Sequence, residues 1–83
     1  MTSKEAHDIA RRKAVHGHND WLVWAEKNGA WNTARISVKA IKAAMLATGT
    51  AGRWYLIAAN SGVGYRYNWR IGVNMLNNAK YGF

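Results

Sequence analysis

The sequence predicts a small α+β domain in which two or three N-terminal helices pack on a C-terminal β-hairpin. Three observations indicate this fold class. The chain has 83 residues, enough for one domain with one hydrophobic core. Apolar residues recur at helical spacing through the N-terminal half. Two β-prone runs flank a glycine-containing turn near the C-terminus. An all-α domain is the alternative, and residues 1–83 form a single domain in either case.

The first helix begins with a capping signal. Thr2 or Ser3 is a suitable N-cap, and Thr2 and Glu5 have the spacing of a capping box. The helix is expected to run to about Val15, because the sequence His16-Gly17-His18 interrupts its pattern. The side chains expected to face the core are Ile9, Ala10 and Ala14. Those expected to face the solvent are Arg11, Arg12 and Lys13.

A second, short helix is predicted between residues 20 and 28. Asn19 or Asp20 provides its N-cap, and Asn28-Gly29 ends it in the left-handed conformation. The apolar side chains that would pack it on the core are Trp21, Leu22, Trp24 and Ala25.

The third helix is predicted over residues 33–48, with Asn32 or Thr33 as its N-cap and an end near Gly49. Its residues fall into two stripes at helical spacing. The apolar stripe consists of Ala34, Val38, Ile41 and Met45. The other stripe is cationic and consists of Arg35, Lys39 and Lys42. A row of cations without interleaved acids is typical of a helix that contacts phosphates.

The C-terminal hairpin is predicted from residues 53–59 and 65–75, which flank a turn at Asn60-Ser61-Gly62. In the second run, aromatic and aliphatic residues alternate with polar and basic ones, so one side of the ribbon is apolar and the other cationic. The alternative is an amphipathic helix over residues 65–80, whose polar face would carry Arg66, Arg70, Asn74 and Asn77. Residues 77–83 are expected to form a final turn or to fray.

The charges are distributed unevenly along the chain. All four acidic residues precede residue 27, and no acid follows. The net charge of +8 therefore arises in the C-terminal two-thirds, and such a field attracts polyanions. We expect the cations of the third helix and the hairpin to form one continuous positive face. The predicted nucleic-acid-binding residues are Arg35, Lys39, Lys42, Arg53, Arg66, Asn68 and Arg70, with Lys27 and Lys80 at the periphery.

The order of elements in the C-terminal half resembles a known family. A helix containing VKAIKAAML is followed by the loop ATGTAGRWY, the strand LIAANS and the motif Gly62-Val63-Gly64-Tyr65-Arg66. Over residues 35–69 this order resembles the winged-helix effector domain of OmpR/PhoB-type response regulators. The resemblance implies that the helix with the cationic stripe enters a major groove. It also implies that the hairpin with Arg66 follows the DNA backbone or the minor groove.

The residue types argue against catalysis. The carboxylates lie in the N-terminal third, and no nucleophile, base and acid have the spacing of a known catalytic set. The chain has no cysteine, and His7, His16 and His18 lack the spacing of a metal site. We therefore predict a protein that is not an enzyme and that binds no metal or other cofactor.

The favoured function is binding of duplex DNA, with RNA as an alternative ligand, by a small regulator or accessory factor of phage or bacterial type. The polar N-terminus lacks the apolar segment of a secretory signal, which predicts a cytoplasmic protein. Two other functions fit the composition. A cationic, tryptophan-rich chain is also typical of membrane-active, leaderless-bacteriocin-like proteins that adsorb to anionic membranes. A small inhibitor or accessory subunit of a larger assembly would instead bind an acidic partner protein.

Overall fold

The computed structural model describes residues 1–78, and these form three helices and four strands. The α+β class and the C-terminal hairpin are therefore confirmed, and the all-α alternative is wrong. The elements are α1 (Ser3–Gly17), β1 (Trp21–Ala25), β2 (Trp31–Arg35), α2 (Val38–Thr48), β3 (Arg53–Ile57), β4 (Gly64–Asn68) and α3 (Trp69–Asn77). The predictions for Lys80 and for the last five residues of the chain lie outside the described residues.

The four strands of residues 1–78 form one antiparallel sheet in the order β2-β1-β3-β4. Each hairpin, β1–β2 and β3–β4, contributes one central and one edge strand, and the pairing of β1 with β3 joins the two hairpins. The predicted C-terminal hairpin is therefore one half of a larger sheet. The other half, the hairpin of β1 and β2, was not predicted from the sequence.

Helix α1 begins as the sequence predicts. The N–H of Glu5 donates to the Thr2 hydroxyl at 3.2 Å, and the N–H of Thr2 donates to the Glu5 carboxylate at 3.0 Å. These two contacts complete the capping box. The helix ends at Gly17, where His18 adopts the left-handed conformation with a φ of 55° and donates its N–H to the carbonyl of Ala14.

Residues 20–28 do not form the predicted second helix. Most of this segment is the central strand β1, in which Leu22, Val23 and Trp24 are buried in succession. A strand that is covered on both faces carries a continuous apolar run. Periodicity alone does not distinguish such a run from a short buried helix.

The turn between β1 and β2 uses the residues that the sequence analysis assigned to a helix end. The N–H of Glu26 donates to the carbonyl of Ala30 at 2.7 Å, and the N–H of Ala30 donates to the Asn28 side chain at 3.0 Å. Gly29 has a φ of 89°, a conformation that glycine adopts without strain. A left-handed glycine closes a short hairpin loop as readily as it ends a helix.

Helix α2 begins later than predicted, because the residues that precede Ser37 pair with β1. The Ser37 hydroxyl is the N-cap and accepts the N–H of Ala40 at 3.0 Å. Both predicted caps, Asn32 and Thr33, lie in β2 instead. The predicted cationic stripe therefore loses Arg35, which is a strand residue.

The second strand of the C-terminal hairpin is shorter than predicted. It ends at Asn68, whose side-chain oxygen accepts the N–H of Ile71 at 3.0 Å and caps α3. The alternation expected as far as Met75 is wrong beyond Asn68, and the helical alternative is correct for residues 69–77. Four residues of α3 pack against the core, and of these Trp69, Val73 and Leu76 recur at helical spacing, with Met75 beside them.

Helices cover both faces of the sheet. On one face, the α1 face, the buried alanines of α1 pack against Val23 and Ile57. On the other, the α2–α3 face, α2 and α3 pack against a cluster that includes Leu22, Ile41 and Trp54, all fully buried. Because side chains alternate along a strand, each central strand contributes to both clusters.

Candidate nucleic-acid interface

Both carboxylates of α1, those of Glu5 and Asp8, accept hydrogen bonds from residues of the helix or its N-cap. The backbone N–H of Thr2 bonds to Glu5 and holds the pKa of that carboxyl below its ordinary value. Asp8 accepts Lys4 at 2.8 Å and Arg11 at 3.2 Å. The hydrogen bond from Lys4 is the main cause of the lowered pKa of Asp8, and the same contact raises the pKa of Lys4. These acids stabilise the helix locally and leave the cations of other elements uncompensated.

The other two carboxylates join strands. Asp20 accepts the N–H of Ala59 at 2.9 Å, which connects the start of β1 to the segment after β3. Glu26 accepts the indole N–H of Trp24 at 2.8 Å and the side-chain amide of Asn32 at 3.1 Å. Neither carboxylate forms an ion pair with any residue in the described part of the chain.

The cations between residues 27 and 78 are exposed and have no carboxylate partner in that part of the chain. The ion pairs among residues 1–78 both involve Asp8, which lies in α1. The exposed cations without an ion pair in this region are Lys27, Arg35, Lys39, Lys42, Arg53, Arg66 and Arg70. The uneven charge pattern of the sequence is therefore preserved as uncompensated charge on the folded surface.

The predicted binding residues do not form one continuous face. The sheet and its two helical layers divide them into three groups. One lies on the α1 face of the C-terminal hairpin, one on the outer surfaces of α2 and α3, and one at the opposite edge of the sheet. The expectation of a single positive surface is wrong, because α2 packs on the face of the sheet that is turned away from the hairpin arginines.

The first group lies on the α1 face of β3 and β4. The strand register pairs Arg53 with Asn68 and Tyr55 with Arg66. Directly paired residues project from the same face of a sheet. Because Tyr55 packs against the α1-side cluster, all four side chains belong to the α1 face. We term these residues, Arg53, Tyr55, Arg66 and Asn68, the hairpin surface.

Helix α1 leaves the hairpin surface accessible. The helix packs on β1, β2 and β3, and both Arg53 and Arg66 are exposed. Arg53 and Arg66 are diagonal neighbours across the strand pair. The Cα atoms of such neighbours lie about 7–8 Å apart. A single phosphodiester backbone can therefore contact both guanidinium groups.

The outer edge of β4 adds backbone donors beside these arginines. The N–H of Ala58 donates to the carbonyl of Val63 at 2.9 Å, which fixes the alternation of the ladder between β3 and β4. In this register the N–H groups of Gly64 and Arg66 point away from β3. No strand of residues 1–78 covers that edge, since β4 is the last strand in the sheet.

The opposite edge of the sheet is occupied at two positions. On β2, the N–H of Trp31 donates to the carbonyl of Met1 at 2.8 Å, and the N–H of Thr33 donates to the side chain of Asn32 at 2.8 Å. These local contacts occupy two outward N–H groups of β2, whereas the outward N–H groups of Gly64 and Arg66 in β4 have no such contact within residues 1–78. Of the two edges, only that of β4 combines free backbone donors with the hairpin surface.

The hairpin surface is suited to phosphate rather than to base edges. Asn68 uses its side-chain oxygen to cap α3, so it lacks the free oxygen and amide pair that reads adenine. Arg53 donates to two carbonyls of the preceding loop at 3.1 and 3.2 Å and retains further donors. Arg66 has no side-chain hydrogen bond within residues 1–78 and is fully available.

The second group lies on the far side of the sheet. Lys39 and Lys42 are exposed on α2, and Arg70 is exposed on α3. These helices pack on Leu22 and Trp54, whose side chains point away from α1. A ligand bound to the hairpin surface would therefore not contact these three cations.

Arg35 forms the third group with Lys13. It pairs with Trp21 across β1 and β2, and the Lys13 Nζ lies 5.3 Å from the centre of the Trp21 ring. Two strands separate Arg35 from β4. Arg35 is therefore remote from the hairpin surface.

Tyr55 is the residue of the hairpin surface that the sequence analysis missed. Its ring centroid lies 5.2 Å from that of His7 and 6.3 Å from that of Trp31, so neighbouring rings fix its orientation. The signal was present in the sequence, since strand alternation places Tyr55 on the same side as Arg53. Alternation was considered only in the second strand of the hairpin and was not applied to residues 53–59.

Two kinds of feature are absent from residues 1–78. No group of three or more histidine, cysteine, aspartate or glutamate side chains is arranged to bind a metal ion in this part of the chain. None of its helices combines the length and the apolar character that crossing a bilayer requires.

No protein-family model matches the chain, and no curated protein or solved structure is significantly similar to it. The resemblance to winged-helix effector domains therefore remains a prediction.

Proposed function

We propose that this protein binds duplex DNA without catalysing a reaction, through phosphate contacts made by the hairpin surface. The observation that carries the proposal is the position of Arg53 and Arg66. Both are exposed on one face of the hairpin, and neither has a carboxylate partner among residues 1–78. Arginine offers phosphate a planar fork of donors, and the free N–H groups at the β4 edge add further donors.

The charge distribution supports this proposal. A net charge of +8 attracts a polyanion over long range, and the four carboxylates are engaged in capping, pairing or joining elements elsewhere. Because the hairpin surface has few groups free to read bases, we expect weak sequence preference. Such binding suits a small cytoplasmic regulator or accessory factor that follows the DNA backbone.

Single-stranded ligands are the alternative within the same proposal. Tyr55 pairs with Arg66 across the two strands and lies on the same face as Arg53, so the hairpin surface combines an aromatic residue with two arginines. Such a combination is typical of surfaces on which unpaired bases stack. RNA and single-stranded DNA are therefore compared with the duplex in the same assay.

The test compares two double variants that remove the same charge from opposite faces. Arg53→Ala with Arg66→Ala changes the hairpin surface, and Lys39→Ala with Lys42→Ala changes α2. Fluorescence anisotropy with a labelled duplex at several salt concentrations gives the Kd and its salt dependence. We expect the arginine variant to lose roughly tenfold in affinity and its log–log salt slope to flatten by about 2. The lysine variant should lose much less.

Two results would contradict the proposal. Equal losses in both double variants would indicate attraction to the net charge without a defined site. A larger loss in the lysine variant would place the contact on α2. Tighter binding of a single strand, with a further loss in Tyr55→Ala, would retain the site and replace the duplex as its ligand.

A further inference from the structure

A second surface lies between α2 and α3, on the face of the sheet opposite the hairpin surface. It is a groove of about 330 Å³, at the lower end of the volume range of binding sites in proteins. Among residues 1–78 its lining is apolar apart from one lysine, and the lining residues in this part of the chain are Lys42, Met45, Leu46, Trp69, Val73 and Leu76. We term this surface the α2–α3 groove.

The groove has a buried floor and an exposed wall. Met45 is 4% exposed and forms part of the core, whereas Leu46 is 67% exposed. A leucine that is so exposed contributes little to the stability of the isolated domain. An apolar side chain on the rim of an apolar groove is instead typical of a surface that a partner covers.

The rim of the groove carries positive charge. Lys42 lines the groove, and Arg70 follows the lining residue Trp69 on α3. Lys39 lies one turn before Lys42 on α2 but lines a separate pocket with Trp24 and Ala34. Neither helix contains an acidic residue. Glu26 lies in an adjacent pocket that also includes Leu46, but its carboxylate already accepts two hydrogen bonds. An occupant with carboxylates beside its apolar residues would therefore complement this rim.

The shape of the groove favours a helix. Helix α3 has 9 residues and is therefore about 13 Å long. Apolar residues at positions i, i+3, i+4 and i+7 of a helix extend over about 10 Å, which fits that length. A flat membrane surface would contact Leu46 but would not reach Met45 at the floor.

We propose that the α2–α3 groove binds an amphipathic helix of a partner protein, whose apolar row is bordered by glutamate or aspartate. The apolar row packs against Leu46, Trp69 and Val73, and the flanking carboxylates pair with Lys42 and Arg70. Binding here leaves the hairpin surface free, because the two surfaces lie on opposite faces of the sheet. The inference does not depend on the proposed binding of DNA.

The probe is a displayed library of helical peptides of about 14 residues, roughly four turns. Each peptide carries an apolar row at i, i+3, i+4 and i+7, and its flanking positions vary among glutamate, lysine and glutamine. Selection against the full-length protein should enrich glutamate at the flanks. Amide chemical shifts of the 15N-labelled protein should then change along α2 and α3 when a selected peptide is added.

Matched variants test the position of the site. Leu46→Glu should lower the affinity of the selected peptides at least tenfold, because an apolar contact is lost and the new carboxylate repels the glutamates at the peptide flanks. Val63→Glu makes the same chemical change at an apolar residue that is 48% exposed on the hairpin loop, and it should leave peptide affinity unchanged. Lys42→Glu should reverse the selection, so that lysine is enriched at the flanks.

Several results would overturn the inference. These are a library without enriched peptides, equal losses in Leu46→Glu and Val63→Glu, or shift changes confined to the hairpin surface. Binding to phosphatidylglycerol vesicles that depends on Leu46, in the absence of peptide binding, would assign the groove to a membrane. A dimer that Leu46→Glu dissociates would assign it to a second copy. Peptide binding should survive Arg53→Ala with Arg66→Ala, so the two proposals can fail separately.

Discussion

The two faces of the sheet are closed in different ways. On the α1 face a single helix of 15 residues presents Ala6, Ala10 and Ala14, all fully buried, so its backbone lies close to the strands. On the α2–α3 face two shorter helices pack on large side chains, of which Trp54 is the largest that is fully buried. One helix with small residues packs closely on β1, β2 and part of β3 and leaves the hairpin surface open, whereas two helices leave a groove between them.

The close packing of the α2–α3 face also requires a residue without a side chain, Gly72. A Cβ atom at Gly72 would lie 2.5 Å from the Sδ of Met45 and 3.1 Å from the Cζ2 of Trp54. Helix α3 therefore approaches both the neighbouring helix and the sheet through its glycine. The lining residues of α3, Trp69, Val73 and Leu76, are large, and together with α2 they form the walls of the groove.

The largest effect on stability is expected from Trp54, the large side chain at the centre of the α2–α3 face. Trp54→Ala should lower the free energy of unfolding by about 3–5 kcal/mol, because the cavity left by the ring does not fully collapse. The indole N–H of Trp54 is buried without a hydrogen-bond partner among residues 1–78, so the loss arises from packing. Urea denaturation measures it. Trp54→Phe should cost less, and equal costs for both variants would contradict this account.

An intermediate effect is expected where the α1 face requires a small residue. Ala10→Leu should lower the free energy of unfolding by about 1–3 kcal/mol, because α1 must move away from Val23 and Ile57 to admit the larger side chain. Arg12→Leu introduces the same side chain at an exposed position of α1, and there we expect a change within about 0.5 kcal/mol. Equal effects at the two positions would show that close packing does not determine this face.

The smallest effect concerns the N-terminal turns of α1, which polar contacts fix. The pKa values of Glu5 and Asp8 are lowered in the folded protein by hydrogen bonds from Thr2 and Lys4, respectively. Their contribution to stability is therefore present above the ordinary carboxyl pKa of about 4 and is lost as the pH falls through the lower folded values.

The thermal midpoint should accordingly fall slightly as the pH is lowered from 5 to about 3. The double variant Glu5→Gln with Asp8→Asn should show a smaller decrease, which calorimetry at several pH values measures. An unchanged pH dependence in that variant would assign the effect to other carboxyls.

Local signals in the sequence predicted α1 and the hairpin between β3 and β4. The capping box of Thr2 and Glu5 depends on contacts within one turn, so its spacing alone indicates a helix start. The alternation of residues 65–68 indicated a strand, but the continuation to Met75 was wrong. There Asn68 caps a helix, and packing of α3 against α2 selects the helical conformation.

The strand β1 could not be predicted in the same way. Leu22, Val23 and Trp24 are consecutive apolar residues, and their conformation depends on which elements cover them. Once β1 lies between β2 and β3, with helices on both faces, every side chain of this run has an apolar neighbour. The pairing of residues distant in the chain, such as Leu22 with Leu56, supplies the deciding contacts.

At the candidate site, too, some properties follow from the sequence alone and others from the tertiary structure. The sequence alone determined that the cations from Arg35 onward lack acidic neighbours along the chain, because that property is one of composition. It also determined the start of α1, because capping acts within one turn. Only the tertiary structure placed Arg66 beside Tyr55 and moved Lys39 and Lys42 to the opposite face. The physical reason is that a sheet has two faces, and strand register together with helix packing decides which of them each side chain joins.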